Sequence, residues 1–414
     1  MLRRSLLLRS LIALLAALPV TAASVKPESV GLSEERLHRI HEAIQRHIEA
    51  RNISGAVTLV ARKGRIVHLE SHGLMDVESG RKMSTDSIFR IYSMTKPVAG
   101  VAIMMLMEEG KVRLNDPVSK FIPEFKEMKV AVAQEQSTPV ALTQSQAPKS
   151  YTIPAAREIT IQDLLTHVSG LGTARLSDAD MEKIARITLA EQVRQFAASS
   201  LGFQPGSRWT YSPLAAFDTL GRVVEVVSGQ NFEQFLRQRI FEPLGMKETF
   251  FHPSAEQWPR VVTAYTRSDG ALKKTENPNR LVSKTYFSGA GGLMSTTEDY
   301  AQFALMLSGG GQLNGKRLLS PKTVELMASV FVPDTTPGLQ PGRSYGLSMR
   351  VVNDPIAAGQ QVSAGSFGWD GAYGTHFWVD PKEKIVGILM VQTSNPDRQV
   401  DRDFESAVMQ AVIE

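Results

Sequence analysis

Ser93 and Lys96 stand three positions apart at the mouth of an apolar stretch, and their types and spacing suit covalent chemistry. In a helix, residues three apart share one face about a turn apart. The positive end of the helix favours an alkoxide and disfavours an ammonium, so a neutral amine there can take the serine proton. This is the physics of a Ser-Lys acyl-transfer nucleophile. Pro97 is tolerated in a first helical turn, Val98 to Met107 is almost wholly apolar, and Glu108-Glu109-Gly110 supplies a stop. A helix apolar on every side is a central, buried one. The same spacing recurs at Ser79-Gly80-Arg81-Lys82, but in a charged, glycine-containing turn with no helix behind it. Taken alone, Ser93 also reads as a helix N-cap.

Two further segments bear on the same chemistry. Gly206-Ser207-Arg208-Trp209-Thr210-Tyr211-Ser212-Pro213 ends an irregular stretch before a helix. A tyrosine held near a lysine can act as a general base; the alternative is a capped helix start with Tyr211 packed by its ring. Gly365-Ser366-Phe367-Gly368-Trp369-Asp370-Gly371-Ala372-Tyr373-Gly374 carries glycines into a strand, which suits close approach of another backbone or a ligand. A free N–H on such an edge can serve as an oxyanion donor.

The elements that position these residues come from both ends of the chain. Residues 33–50 read as an amphipathic helix, and residues 56–60 and 66–69 as a hairpin turning at Arg62-Lys63-Gly64. Glu127 to Ile153 reads as a surface excursion. Residues 160–250 look mainly helical, notably 190–198, 214–227 and 232–240, with further helices at 299–307 and 321–330. A second hairpin joins 374–380 to 385–391, and a last helix covers 402–413. Strands at both ends with helices between them predict an α+β fold. One antiparallel sheet is built from both termini, with a helical lobe inserted at roughly 111–285.

Arg3, Arg4 and Arg9, the apolar run Leu11 to Leu18 and the small residues Thr21-Ala22-Ala23 read as a secretion signal over residues 1–23. The run is too short to span a membrane. The expectation is a periplasmic or secreted protein with no stable membrane anchor after cleavage, its single hydrolase domain covering residues 24–414. The sequence holds 46 basic and 42 acidic residues; loss of the three signal arginines leaves 43 against 42. Near-neutral charge, with no basic run, argues against a nucleic-acid partner. With no cysteine, stability must come from a large core.

Together the ordered segments resemble the serine β-lactamase and penicillin-binding-protein superfamily, and more closely its class C-like esterase branch, the family VIII carboxylesterases. The resemblance rests on Phe89-Arg90-Ile91-Tyr92-Ser93-Met94-Thr95-Lys96-Pro97, Asp163-Leu164-Leu165-Thr166-His167-Val168-Ser169-Gly170-Leu171, Pro243-Leu244-Gly245-Met246, Gly291-Gly292-Leu293-Met294-Ser295-Thr296 and Gly368-Trp369-Asp370-Gly371. It implies a β-lactamase/transpeptidase-like fold, Ser93 as nucleophile, and Lys96 with Tyr211 as paired general base. It further implies an oxyanion hole from the N–H groups of Ser93 and Ala372, and Trp369, Asp370 and Gly371 beside the substrate. Pro213 stands where the lactamases carry Asn, and Trp369 where they carry Lys. Loss of that amide and that cation favours a small neutral ester over a lactam carboxylate.

No cofactor is implied. His38, His41 and His47 share the first helix, and His38-x-x-His41 has a chelating spacing, but a solvated helix face is the plainer reading. Ala364-Gly365-Ser366-Phe367-Gly368 only approximates a nucleophile elbow. His167 reads as a buried structural histidine, and His376 as a residue bordering the cleft. The resulting expectation is an exported serine esterase acting through an acyl-enzyme. The alternatives are a class C-like β-lactamase, a D-amino-acid peptidase, or a penicillin-binding module that acylates without turnover.

Overall fold

The computed structural model describes residues 25–133, 150–172, 183, 186–275, 278, 279, 281–396 and 399–414. Residues 1–23, read as a secretion signal, lie outside them. The principal helices are α1 (Arg39–Glu49), α2 (Thr95–Glu108), α3 (Ala215–Ser228), α4 (Thr297–Ser308) and α5 (Gln399–Met409). An eight-stranded sheet contains β1 (Gly55–Arg62), β2 (Arg65–Asp76), β3 (Arg81–Lys82), β4 (Arg343–Tyr345), β5 (Arg350–Val352), β6 (Ser366–Asp370), β7 (His376–Asp380) and β8 (Ile385–Val391). Its order is β4-β5-β6-β7-β8-β1-β2-β3, with every pair antiparallel. The chain ends meet where Ala56 pairs with Val391 and Arg62 with Ile385.

Alternation assigns the two faces of β1. Ala56 and Val60 pack with Ile40, Ala43 and Ile44 of α1 and Phe404 and Val408 of α5. Val57, Leu59 and Ala61 face the larger core, which holds α2, α3 and α4. Every residue of α2 from Thr95 to Leu106 is buried, as its unbroken apolar composition requires.

Several elements differ from the sequence expectation. The first helix is split: Ser33 caps a single turn at Glu34–Leu37, and α1 restarts after His38. Lys129–Ala133 and Ser150–Pro154 form an antiparallel ladder where a surface excursion was expected; residues 134–149 lie outside the described residues. The inserted lobe is less helical than its pattern suggests, because Tyr265–Ser268 and Ala271–Lys274 form a hairpin that also pairs with Thr393–Ser394. The 232–240 helix ends its α-helical part at Leu236 and passes into a wider π-type turn over Arg237–Phe241.

Candidate active site

Ser93 lies in a 3₁₀ turn, Tyr92–Met94, directly before α2. Tyr92 has a φ of 43°, a left-handed conformation costly for an aromatic residue, and several contacts hold it there. Its ring stacks on Tyr373 at 4.8 Å, and its hydroxyl donates to Pro278 O at 2.8 Å. Beside it the Tyr300 hydroxyl donates to Met94 O at 2.9 Å. The helix entrance has no side-chain cap, so Ser93 is not an N-cap here. Its Oγ is engaged elsewhere: the Tyr211 hydroxyl donates to it at 2.6 Å and Lys96 Nζ at 3.3 Å.

Lys96 is fully buried, and its Nζ also donates to Pro213 O and Ala290 O, each at 2.8 Å. This geometry suits proton transfer. In its amine form, Lys96 can spend two N–H bonds on the carbonyls and turn its lone pair to Ser93 Oγ. Pro213 thus contributes a main-chain acceptor even though it has no side-chain amide. The ammonium site also lies 4.9 Å from the Tyr211 ring centroid.

Behind Lys96 sits a group that sequence reasoning missed. Asp218, fully buried in α3, accepts from the Tyr286 hydroxyl, from Ser288 Oγ at 2.8 Å and from Ala290 N at 3.1 Å. Burial pushes its carboxyl up to about 6, against the opposing pull of these donors and of Lys96. Asp218 therefore holds, through its N–H, the residue whose carbonyl receives Lys96. The available signal was an acid on the apolar side of Ala215-Ala216-Phe217-Asp218-Thr219-Leu220.

His167 clamps the strand-like segment carrying Tyr211. Its carbonyl accepts from Thr210 N at 3.1 Å and its Nδ1 from Ser212 N at 3.2 Å. Burial, then the charge of Lys96, holds the ring well below the usual histidine value, so it stays neutral. Trp369 lies 5.7 Å from the Tyr211 ring, and Tyr345 meets Trp369 edge-on at 5.2 Å. Trp209 packs on Tyr345 at 5.7 Å. The Trp209 and Trp369 Nε1 atoms, the Tyr345 hydroxyl and His167 Nε2 are buried without a hydrogen-bond partner among the described residues. This apolar wall thus carries polar tips.

The remaining sequence candidates separate. Ala372 is exposed in the turn between β6 and β7. That turn is pinned to the nucleophile: a Cβ on Gly371 would stand 2.6 Å from Ile91 O and 2.1 Å from Thr375 Oγ1, so only glycine fits. Asp370, grouped by sequence with the substrate-contacting residues, has both carboxylate oxygens engaged, by Arg350 at 2.8 Å and His376 at 2.6 Å. His376 does not border the cleft. It pairs with Asp370 in register and reaches Glu405 of α5 at 3.2 Å, so it lies on the α1/α5 side of the sheet. The two carboxylates raise His376 to about 10, overcoming the burial that would lower it. Ser79 donates to Asp76 Oδ1 at 2.6 Å in a surface turn, with no helix or base behind it.

A model of the beta-lactamase family matches residues 40–410. This chain belongs to that family. Within it, a Mycobacterium tuberculosis protein, Rv1367c, is 34% identical over 376 residues, 87% of this chain and 90% of its own. Esterase EstB of Burkholderia gladioli is 29% identical over 405 residues, 91% of this chain and 95% of its own. Among solved structures, EstCE1, described as a hydrolase with promiscuous acyltransferase activity, superposes with a TM-score of 0.77 at 24% identity, covering 91% of this chain and 99% of that one. Simvastatin synthase LovD from Aspergillus terreus gives 0.75 at 22%, covering 91% and 98%. The chain is a β-lactamase-fold serine hydrolase, esterase-like in its relatives.

Proposed function

We propose that this protein is an exported serine esterase that cleaves short-chain carboxylic esters through an acyl-enzyme. The observation that carries this reading is the convergence of Tyr211 Oη and Lys96 Nζ on Ser93 Oγ, beside the aromatic wall formed by Trp369. Ser93 attacks the ester carbonyl as its proton passes to the Tyr211–Lys96 pair. The N–H groups of Ser93 and Ala372 meet the oxyanion. Tyr211 returns the proton to the departing alcohol, and the same pair then activates the water that releases the acid. Trp369 replaces the carboxylate-binding lysine of the lactamases with an indole suited to a small neutral acyl group. The esterase activity in EstB's name accords with this reading.

Export rests on the basic start, short apolar run and Thr21-Ala22-Ala23; the mass of the mature protein recovered from the periplasm or medium tests it. The enzymatic test is a pair of specificity constants, for a short aryl ester and a chromogenic cephalosporin. The ester should be strongly preferred, and Ser93→Ala should abolish its turnover while leaving the fold intact. Cephalosporin turnover as efficient as that of the best ester would replace the esterase by the lactamase alternative. A single stoichiometric acylation without turnover would replace it by a penicillin-binding trap.

A further inference from the structure

On the side of the sheet away from Ser93, α1 crosses β2 over two histidines and a glutamate and brings a third histidine to them. Register places them: His72 pairs with Ala56, Glu70 with Thr58 and His68 with Val60, and Ala56 and Val60 belong to the α1/α5 core. His68, Glu70 and His72 therefore point toward α1. His41 of α1 meets them, with Nδ1 2.6 Å from Glu70 Oε1. His72 Nδ1 faces the same oxygen at 3.8 Å, too far for a hydrogen bond. Among the described residues, His41, Glu70 and His72 form the group whose ligand atoms converge, all within 4.8 Å of one another.

The hydrogen bonding behind His72 makes this more than a chance cluster. His72 is 3% exposed, and its Nδ1 has no hydrogen-bond partner among the described residues. Its Nε2 lies 3.0 Å from Thr58 Oγ1, which also lies 2.8 Å from His68 Nε2. The hydroxyl has one proton, so it donates to one ring and accepts from the other. When Thr58 donates to His68, His72 donates Nε2–H to Thr58 and turns the Nδ1 lone pair toward a carboxylate oxygen. In that tautomer two acceptors face each other, an arrangement that a cation between them would satisfy.

We propose that His41, Glu70 and His72 form a binding site for a divalent transition-metal ion of the zinc class, joining α1 to β2. Two imidazole nitrogens and a carboxylate oxygen are a zinc-type donor set. Bond lengths of about 2.0–2.2 Å around a tetrahedral ion place ligand atoms roughly 3.3–3.6 Å apart. The present separations of 2.6 and 3.8 Å bracket that spacing. His41 and Glu70 have side chains 44% and 36% exposed, free to adjust and open to a solvent ligand. Thr58 then holds His72 from behind, as outer partners of metal-bound histidines do. As the ion takes His41 Nδ1, the neutral ring keeps its single proton on Nε2, and Glu70 turns its freed oxygen to the ion.

The test uses tag-free protein, freed of metal with a chelator and titrated with Co²⁺. One Co²⁺ per chain should bind, with the intense visible bands of a low-coordinate site, and Zn²⁺ should displace it and raise the unfolding temperature. Thr58→Val, which removes only the outer hydroxyl, should weaken binding by about 10–100-fold. His41→Gln and Glu70→Gln, both at half-exposed positions, should weaken it further, while His38→Gln leaves a site of at least three ligands intact. Absence of saturable Co²⁺ binding would overturn the proposal. So would binding that survives both His41→Gln and Glu70→Gln unchanged. Because the variants change no residue near Ser93, their ester turnover without metal checks that each has folded.

Discussion

Two carboxylate clusters flank the sheet, and they resolve the same problem in opposite ways. Beneath the Ser93 cleft, Asp218 has hydroxyl and amide donors but no ion pair among the described residues, and burial raises it to about 6. Behind Trp369, Asp370 lies between Arg350 and His376, and their charges hold it far below the usual carboxylate range despite the burial that opposes them. Glu405 is lowered beside the same histidine. Burial pushes both carboxyls up, and only the cations beside Asp370 reverse the sign. The first cluster keeps a poised group close to Lys96, whereas the second is an ionic clasp joining β5, β6, β7 and α5.

If this division is right, damage on the cleft side costs rate and damage on the far side costs stability. The largest expected effect is on the cleft side: Lys96→Ala and Tyr211→Phe should each slow acylation by about 10²–10⁴-fold. Stopped-flow burst kinetics would show the double variant losing far less than the product, because the two act as one unit. Strictly multiplicative losses would argue against a shared proton path.

Next comes the clasp. His376→Gln should lower unfolding free energy by about 3 kcal/mol, the low end for a broken buried ion pair, because Asp370 is 41% exposed and keeps Arg350. Denaturant titration reads it, and kcat per folded molecule should be nearly unchanged. A folded pKa raised from 6.5 to about 10 gives a contribution fully present below 6.5 and lost as pH rises through 10. The gap between wild type and variant should follow that window.

Asp218→Asn should reduce kcat by roughly 10–100-fold, the scale of a displaced catalytic group. A merely structural role would leave the pH profile alone; here the wild-type limb near 6 should vanish in the variant. Its stability signature runs the other way from a depressed acid. A carboxyl raised from 3.8 to about 6 stabilises fully below 3.8 and loses that contribution as pH rises through 6. Ser79→Ala should give the smallest effect: stability within about 0.5 kcal/mol of wild type and unchanged turnover. Inactivation by that change would move the nucleophile and dissolve the comparison.

The nucleophile was legible in the sequence because its two parts are local, whereas Tyr211, 118 positions on, was legible through its motif and the family resemblance. Ser93 and Lys96 are one turn apart, and the structure brings Tyr211 to them. The sheet was legible where strands are long, as in β1, β2 and β8. It was not in β4 and β5, three residues each, too short to show alternation. The clusters escaped for a different reason. Asp218, Tyr286, Ser288 and Ala290 join positions 72 residues apart, and His41 meets Glu70 only after α1 lies across β2. His376 was placed in the cleft because it follows the third motif; the period of two that sends Trp369 forward sends Asp370 and His376 backward.

The contact between Gly371 and Ile91 has a consequence for how the enzyme can change. It couples the turn carrying Ala372 to the turn carrying Ser93 through main-chain atoms, while Trp369 stands two residues away on a regular strand. Variation at position 369 can reshape the acyl pocket while the attack geometry stays in register, and variation at 371 disturbs both turns together. The scaffold therefore separates a position that can be freely explored from one that cannot. A saturation library at these two sites should return many altered specificities from the first and almost none from the second.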